Sequence, residues 1–341
     1  MTLTVRRSVR SVLLAVAVPA LLGATPPGAA PAPATAAAET TAPPVGVVPV
    51  IEPFDLDATR RMAVNVTVGG QGPFSFLVDT GAERTVIARE LAERLGLVEG
   101  EQLRMATIGG PATVPSYRIA GLQMKELHLA HVQAPAFHGR HIGAAGLIGV
   151  DMLEERRVLI DFRKETMEIL ESHKRARAII RDDDAIVVTA RNAAGRLILS
   201  DARLDGKRID LIVDTGAQTS VGNLALQRLV AAKRANSLPF FSTTLAAVTG
   251  EDVPALRSAI KLIRVNGLDI TDLPVSFADG QAFRALGLNE RPALLLGMDS
   301  LSLFDRVEID FPNRRVVFDL PERAQRSAGQ RFAARAAAAG G

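Results

Sequence analysis

From Met62 the chain reads in short alternating runs. "MAVNVTV" puts an apolar side chain at every second position, which predicts a strand with one face buried. "VGGQGP" is turn chemistry, and "FSFLV" predicts a second strand that runs straight into Asp79. A short helical pattern follows, "RELAERLGL", with Leu91 and Leu95 on one face and Gly96 as its stop. "TIGGPATVPSY" then predicts a glycine-tipped hairpin. Two further strands lead to "GLIGVDML" at Gly146, and "RVLIDFRKETMEI" from Arg157 predicts a closing hairpin.

The second half of the chain runs in the same order. "RLILSDARLDGKRIDLIV" predicts two strands about a glycine turn, ending at Asp214. A helical "NLALQRLVAAKRA", a hairpin at "AAVTGEDVPAL", the run "LLLGMDSL" and a last hairpin at "RVEIDFPNRRVVF" follow. Leu147-Ile148-Gly149 matches Leu295-Leu296-Gly297, each followed one residue later by an aspartate, Asp151 or Asp299. Ile160-Asp161-Phe162 matches Ile309-Asp310-Phe311. Two copies are too few for a solenoid. The expectation is an all-β fold with short helices, built as two pseudo-symmetric lobes: residues 56–172 and 186–322, joined by a charged linker at 173–185. One stretch has no counterpart in lobe one, the insertion "DGQAFRALGLNERP" at 279–292, and the sequence assigns it no role.

Composition adds the ends. A chain of 341 residues fits about two domains, and with 48% hydrophobic residues each can bury a core. Arg6, Arg7 and Arg10 precede the apolar "SVLLAVAVPALLGA", too short to span a bilayer comfortably. Residues 1–38 therefore read as a signal peptide and 39–55 as a Pro/Ala/Thr-rich linker. The expected location is periplasmic or secreted, without stable membrane insertion after cleavage. Residues 323–341 read as a disordered tail. A net charge of +3 with no tryptophan offers no nucleic-acid face. The absence of cysteine excludes disulfides, thiolate metal sites and a cysteine nucleophile.

The chemistry lies in what the two halves share. "FSFLVDTGAERTVI" and "IDLIVDTGAQTSVG" repeat a carboxylate, a hydroxyl and a glycine in one order. A glycine permits a tight turn after each strand, and two lobes about a pseudo-two-fold axis would bring Asp79 and Asp214 together. Two close carboxylates share one proton, so one is a base while the other is an acid. Water held between them can attack a peptide carbonyl. Thr80 and Thr215 could hydrogen-bond across the interface and lock the turns.

These residues resemble the retropepsin-like aspartic proteases of the pepsin superfamily, over roughly Met62 to Leu320. "LVDTGAERTVI" and "IVDTGAQTSV", each with its downstream Leu-Ile-Gly or Leu-Leu-Gly, carry the likeness. The resemblance implies catalytic Asp79 and Asp214, and supporting turns of Thr80-Gly81-Ala82 and Thr215-Gly216-Ala217. It implies that Gly149 and Gly297 belong to segments crossing under the DTG strands. It also implies substrate flaps at Gly109-Gly110 and Thr249-Gly250, an extended protein or peptide substrate, and no cofactor or metal. Both half-sites lie in one chain, which implies a monomer, and the export signal together with a two-lobe chain suggests a bacterial periplasmic or secreted form. An alanine follows each DTG, where pepsin-type sites usually carry a hydroxyl.

Other candidates read more plainly. His128, His131, His138 and His141 form two H-x2-H pairs, but an i, i+3 pair on a strand faces opposite ways, so they read as a solvated loop or subsite wall. Asp151 and Asp299 read as caps of the short helices that follow, and "RDDD" at Arg181 as a solvated linker. No P-loop, G-x-S-x-G, H-E-x-x-H or G-x-G-x-x-G pattern occurs. Two functional classes remain, an aspartic endopeptidase or a non-catalytic peptide-binding module on the same fold.

Overall fold

The structure, a computed structural model, describes residues 3–5, 50–53, 55–56, 61–125, 127–180, 185–232 and 238–321. The expected signal peptide beyond Val5, most of the first linker, "RDDD" and the tail lie outside these residues. No helix among the described residues is long and apolar enough to cross a membrane. The chain is mostly strand, with short helices only.

Each lobe is built the same way. In lobe one, Met62–Val68 pairs antiparallel with Gln71–Val78, the strand that ends at Asp79. Gly146–Ile148 lies parallel beside the end of that strand and antiparallel to Val86–Ala88, which follows the DTG turn. Lobe two repeats this with Arg196–Leu204, Lys207–Val213, Ala293–Leu296 and Val221–Gly222. The all-apolar "GLI" and "ALLL" are fully buried because they sit in the middle of these sheets.

The lobes join through one antiparallel sheet. Its order runs Val50–Pro53, Thr166–Glu171, Arg156–Asp161, Arg306–Asp310, Arg315–Asp319, Ile186–Ala193. The local two-fold passes between the two central strands: Val158 faces Ile309 and Ile160 faces Val307, each pair the image of the other. The symmetry breaks where lobe one has Leu159 and lobe two has Glu308. Glu308 and Asp310 are wholly buried and share Arg157 and Arg315, with Asp310 at 3.1 Å from Arg157 and 2.7 Å from Arg315. Glu308 also accepts the backbone N–H groups of Ile179 and Ile180, at 2.7 and 3.0 Å. The segment after lobe one, expected as a charged linker, is therefore fastened to the joint sheet, and Ile180 is buried there.

One further expectation changes. Between the first hairpin and Gly146 there are four strands, not two: Ser116–Ile119, Leu122–Met124, Leu127–Leu129 and Val132–Phe137. Left-handed turns at Gly121 and Lys125 cut the run into short hairpins that unbroken alternation conceals. Leu3–Val5, at the start of the expected signal peptide, pairs antiparallel with Leu268–Ile270.

Candidate active site

The strand before each aspartate is fixed by its parallel neighbour. The N–H of Asp79 donates to Ile148 O at 2.9 Å and that of Asp214 to Leu296 O at 3.1 Å. Each chain then folds back on its own carboxylate. Asp79 Oδ1 accepts from the N–H of Gly81 at 2.8 Å and Ala82 at 2.9 Å. Asp214 Oδ1 accepts from Gly216 at 3.0 Å and Ala217 at 3.1 Å. In each turn one oxygen orders the backbone and the other is left for chemistry.

The two threonines clasp the turns. Thr80 Oγ1 donates to Val213 O at 2.9 Å and accepts from the N–H of Thr215 at 3.2 Å. Thr215 Oγ1 donates to Val78 O at 2.7 Å and accepts from the N–H of Thr80 at 3.1 Å. Four buried, reciprocal hydrogen bonds make the relative position of the carboxylates a property of the backbone. Here the hydroxyls act as the sequence suggested.

The glycines act differently. Neither Gly81 nor Gly216 adopts a left-handed φ, so the turn itself does not demand them. A Cβ on Gly216 would lie 2.2 Å from Asp79 Cγ, and one on Gly81 would lie 2.5 Å from Asp214 Cγ. Each glycine is the floor on which the opposite carboxylate rests. Gly149 and Gly297 show the same kind of crowding: their Cβ atoms would strike the backbone at Arg84 and Thr219, at 2.4 and 2.7 Å.

Burial away from water raises both carboxyls above the usual range, and Asp214 is pushed up to about 7, burial first and the neighbouring Asp79 second. Asp79 is the more open of the two, while Asp214 is 9% exposed. The pair is therefore placed to hold a single proton over a broad range, and it titrates as a pair and not as two separate residues.

One charged neighbour escaped the sequence reading. Arg196, 8% exposed, reaches across from lobe two and donates from Nε to Gly81 O at 2.5 Å. Its positive charge draws both carboxyls downward, against burial. The matching residue of lobe one, Arg61, turns away and donates to Ile142 O at 2.9 Å. Nothing in "AAGRLIL" marks Arg196, because only the docking of the lobes brings it to the dyad.

Comparison with known families bears on this geometry. Residues 64–155 match the family model described as "gag-polyprotein putative aspartyl protease", and residues 200–300 match the model described as "Aspartyl protease". The two matches together span more than half of the chain, one for each DTG turn. The chain belongs to the retropepsin-like aspartic proteases. No curated protein matches it. This retropepsin-like protease carries two lobes in one chain.

Other candidate residues of the protease fall around the cleft. Gly109 and Gly110 lie at the tip of the hairpin Leu103–Thr107/Gly110–Val114, and Thr249 and Gly250 at the tip of Phe241–Ala246/Asp252–Val265. The hairpins cross to opposite lobes. Ile108 packs on lobe two, where a Cβ on Gly280 would meet its Cδ1 at 2.5 Å. Gly250, at φ +89°, lies on the His141 ring of lobe one. A side chain there is both strained and obstructed. We expect Gly250→Ala to lower kcat/KM by about tenfold to a hundredfold through a misplaced hairpin, measured on a fluorogenic peptide. Unchanged kinetics would remove this hairpin from the cleft.

Two expectations are corrected. Asp151 and Asp299 do not cap the helices beside them; the caps are Gly149 and Gly297, without side-chain bonds. Asp151 accepts from Thr85 N and Oγ1 at 2.9 and 2.7 Å, and Asp299 from Ser220 N and Oγ at 3.1 and 2.8 Å. They tie the crossing segment to the strand after each DTG. The His138–His141 pair lies at a short helix, Gly139–Ile142, not on a strand, so its rings come within 5.6 Å. His138 pairs with Glu90 at 2.8 Å. His128 is on the strand Leu127–Leu129, and His131 lines a cavity of about 520 Å³ to which lobe two contributes Ala194 and Gly195. Among the described residues no cluster of three or more His, Asp or Glu is arranged to hold a metal ion.

Proposed function

We propose that the chain is an aspartic endopeptidase that cuts peptide bonds with a water activated between Asp79 and Asp214. The observation that carries this reading is the mutual contact of the two turns, in which each carboxylate rests on the other's glycine. Ionised Asp79 takes a proton from the water as its oxygen bonds to the peptide carbonyl carbon. Asp214 gives its proton to the carbonyl oxygen, and a neutral gem-diol forms. The C–N bond then breaks. The leaving nitrogen takes the proton from Asp79, and a diol hydroxyl returns one to Asp214, so the pair ends as it began.

The substrate lies extended between the lobes beneath the hairpins, with backbone hydrogen bonds fixing its register. We propose action as a monomer, since one chain supplies both carboxylates, and a place outside the cytoplasm on the strength of the N-terminal sequence. The discriminating experiment is digestion of a protein or peptide library by the wild type and by Asp79→Asn. Cleavage by the wild type alone supports the endopeptidase. Tight peptide binding without cleavage by either protein assigns the chain to the peptide-binding alternative.

The pH profile provides a further test. Activity requires one proton on the pair. As pH falls, the second carboxylate protonates and activity is lost; as pH rises, the retained proton leaves. Raised values for both groups place the window in mildly acidic to near-neutral conditions, with the alkaline limb near the value of about 7 carried by Asp214. Arg196→Met removes a cation that favours ionisation, so both limbs should move to higher pH, the acid limb by about one unit. An acid limb that moves downward, measured as kcat/KM against pH, would contradict the role given to Arg196.

A further inference from the structure

The two hairpins over the cleft are held in chemically different ways. The lobe-one hairpin rests through Ile108 on apolar side chains of lobe two, none of which titrates. The lobe-two hairpin rests on a histidine. A Cβ on Gly250, at its tip, would stand 2.2 Å from His141 Cε1 and 2.7 Å from both ring nitrogens. The surrounding hydrogen bonds fix the state of that ring. Arg140 Nε donates to His141 Nε2 at 3.0 Å. A guanidinium has donors only, so Nε2 is the bare nitrogen, the ring is neutral and its proton sits on Nδ1. Nδ1 is buried and has no hydrogen-bond partner among the described residues. The same is true of Oγ1 of Thr249, the residue beside Gly250. Each such atom weakens the closed arrangement, so the hairpin is held with little to spare.

Charged groups reach this seat from every element packed on it. The short helix Gly139–Ile142 carries Arg140, and His138 at its start meets the His141 ring at 5.6 Å. From the helix Arg89–Arg94 comes Glu90, which accepts from Gly139 N–H and bonds the His138 ring, both at 2.8 Å. These bonds, Gly139 first and His138 second, hold Glu90 down to about 2, so it stays ionised and is engaged with His138. Arg89 of the same helix acts on Tyr117. Arg61 approaches Gly143 at the far end of the short helix. The hairpin brings exposed Asp252 and also Glu251, which lies against Gly109 of the other hairpin. The nearest charge to the His141 ring is therefore the guanidinium bonded to it.

We propose that His141 is a positioning residue that seats the lobe-two hairpin as a neutral imidazole and releases it when protonated. A proton on Nε2 faces the N–H of Arg140 Nε, so a hydrogen bond becomes a meeting of two donors and two positive charges. The ring must turn away, and Gly250 rests on that ring. Histidine side chains change charge between about pH 5 and pH 8, so acid loosens the lobe-two hairpin. The lobe-one hairpin keeps its apolar seat and loosens less, through the contact of Gly109 with Ala247 and Glu251. The effect on the reaction rests on the endopeptidase reading above: substrate is held by the closed hairpin, so acid raises KM, while kcat follows the dyad. The hairpin itself can be followed without any cleavage.

Hydrogen–deuterium exchange of the full chain at about pH 7.5 and about pH 5 is the direct test. Each rate is divided by its intrinsic rate, in the inactive Asp79→Asn background with and without His141→Phe. Phenylalanine keeps a flat ring that cannot take a proton; His141→Gln repeats the comparison without a ring, and thermal unfolding checks each variant. With His141 present, exchange in residues 247–251 should rise about tenfold in acid, and in either variant it should stay level. In the active protein, KM for a fluorogenic peptide should rise about tenfold over the same range, and by about twofold or less in His141→Phe, with the acid limb of kcat at the same pH in both. Arg140→Gln removes the opposing charge and should weaken the response. No rise with His141 present, or an equal rise in the variants, overturns the seat whether or not the protein cuts peptides. A folded wild type that cuts nothing while its hairpin responds as stated overturns the endopeptidase and leaves the seat standing.

Discussion

Asp79→Asn and Asp214→Asn should each lower kcat/KM for peptide hydrolysis by about a thousandfold or more while the protein stays folded. The size follows from general acid–base catalysis, which loses its proton acceptor or its proton donor in either variant. The fold survives because an asparagine Oδ1 can accept the same two turn N–H groups that Asp79 or Asp214 accepts. Since the pair acts as one unit, the double variant should lose scarcely more than either single one. Stability at neutral pH should be unchanged or raised, because a buried carboxyl held above its usual range is replaced by a neutral group. The measurements are initial rates on a fluorogenic peptide and thermal unfolding. Either single variant retaining near-wild-type rates would end the dyad assignment.

Gly216→Ala and Gly81→Ala should be nearly as damaging, for a steric reason. The added methyl of Gly216→Ala would stand 2.2 Å from Asp79 Cγ and 2.3–2.4 Å from its oxygens; that of Gly81→Ala would stand 2.5–2.6 Å from Asp214. No such contact is tolerated, so the carboxylate or the turn must move. Displacement on the order of 1 Å at a reacting group can cost about a hundredfold in rate, and crowding a packed site costs about 1–3 kcal/mol in stability. Gly206→Ala is the control. Gly206 has φ +80° but open space around it, so alanine there should cost about 1 kcal/mol in stability with activity intact. If Gly206→Ala and Gly216→Ala lose activity alike, the loss follows general destabilisation and not contact with the carboxylate.

Much of this protein is written locally. The alternation in "MAVNVTV", the turn residues and the repeated Asp-Thr-Gly are short-range signals, and they determined the strands, the two-lobe plan and the identity of the paired carboxylates. The order of landmarks in each half did the same for the segment that crosses beside each DTG strand. What the sequence could not determine is what depends on the lobes meeting. The turn glycines look like turn-formers in one dimension; only the opposite carboxylate at their Cα explains them. Arg196 lies 115 residues from Gly81, and no periodicity links a guanidinium to a carbonyl in another lobe. Asp151 and Asp299 follow a glycine as helix caps often do, yet their partners are 66 and 79 residues earlier. The insertion at 279–292 carries the same lesson. Its apolar residues were legible, but Ile198, Ile212, Val221 and Leu295, and Ile108 from the other half, come to them only in the folded chain. Local physics determines elements because it acts between near neighbours. The site is decided by contacts between distant segments, and those exist only after two independently patterned lobes have closed on a shared sheet.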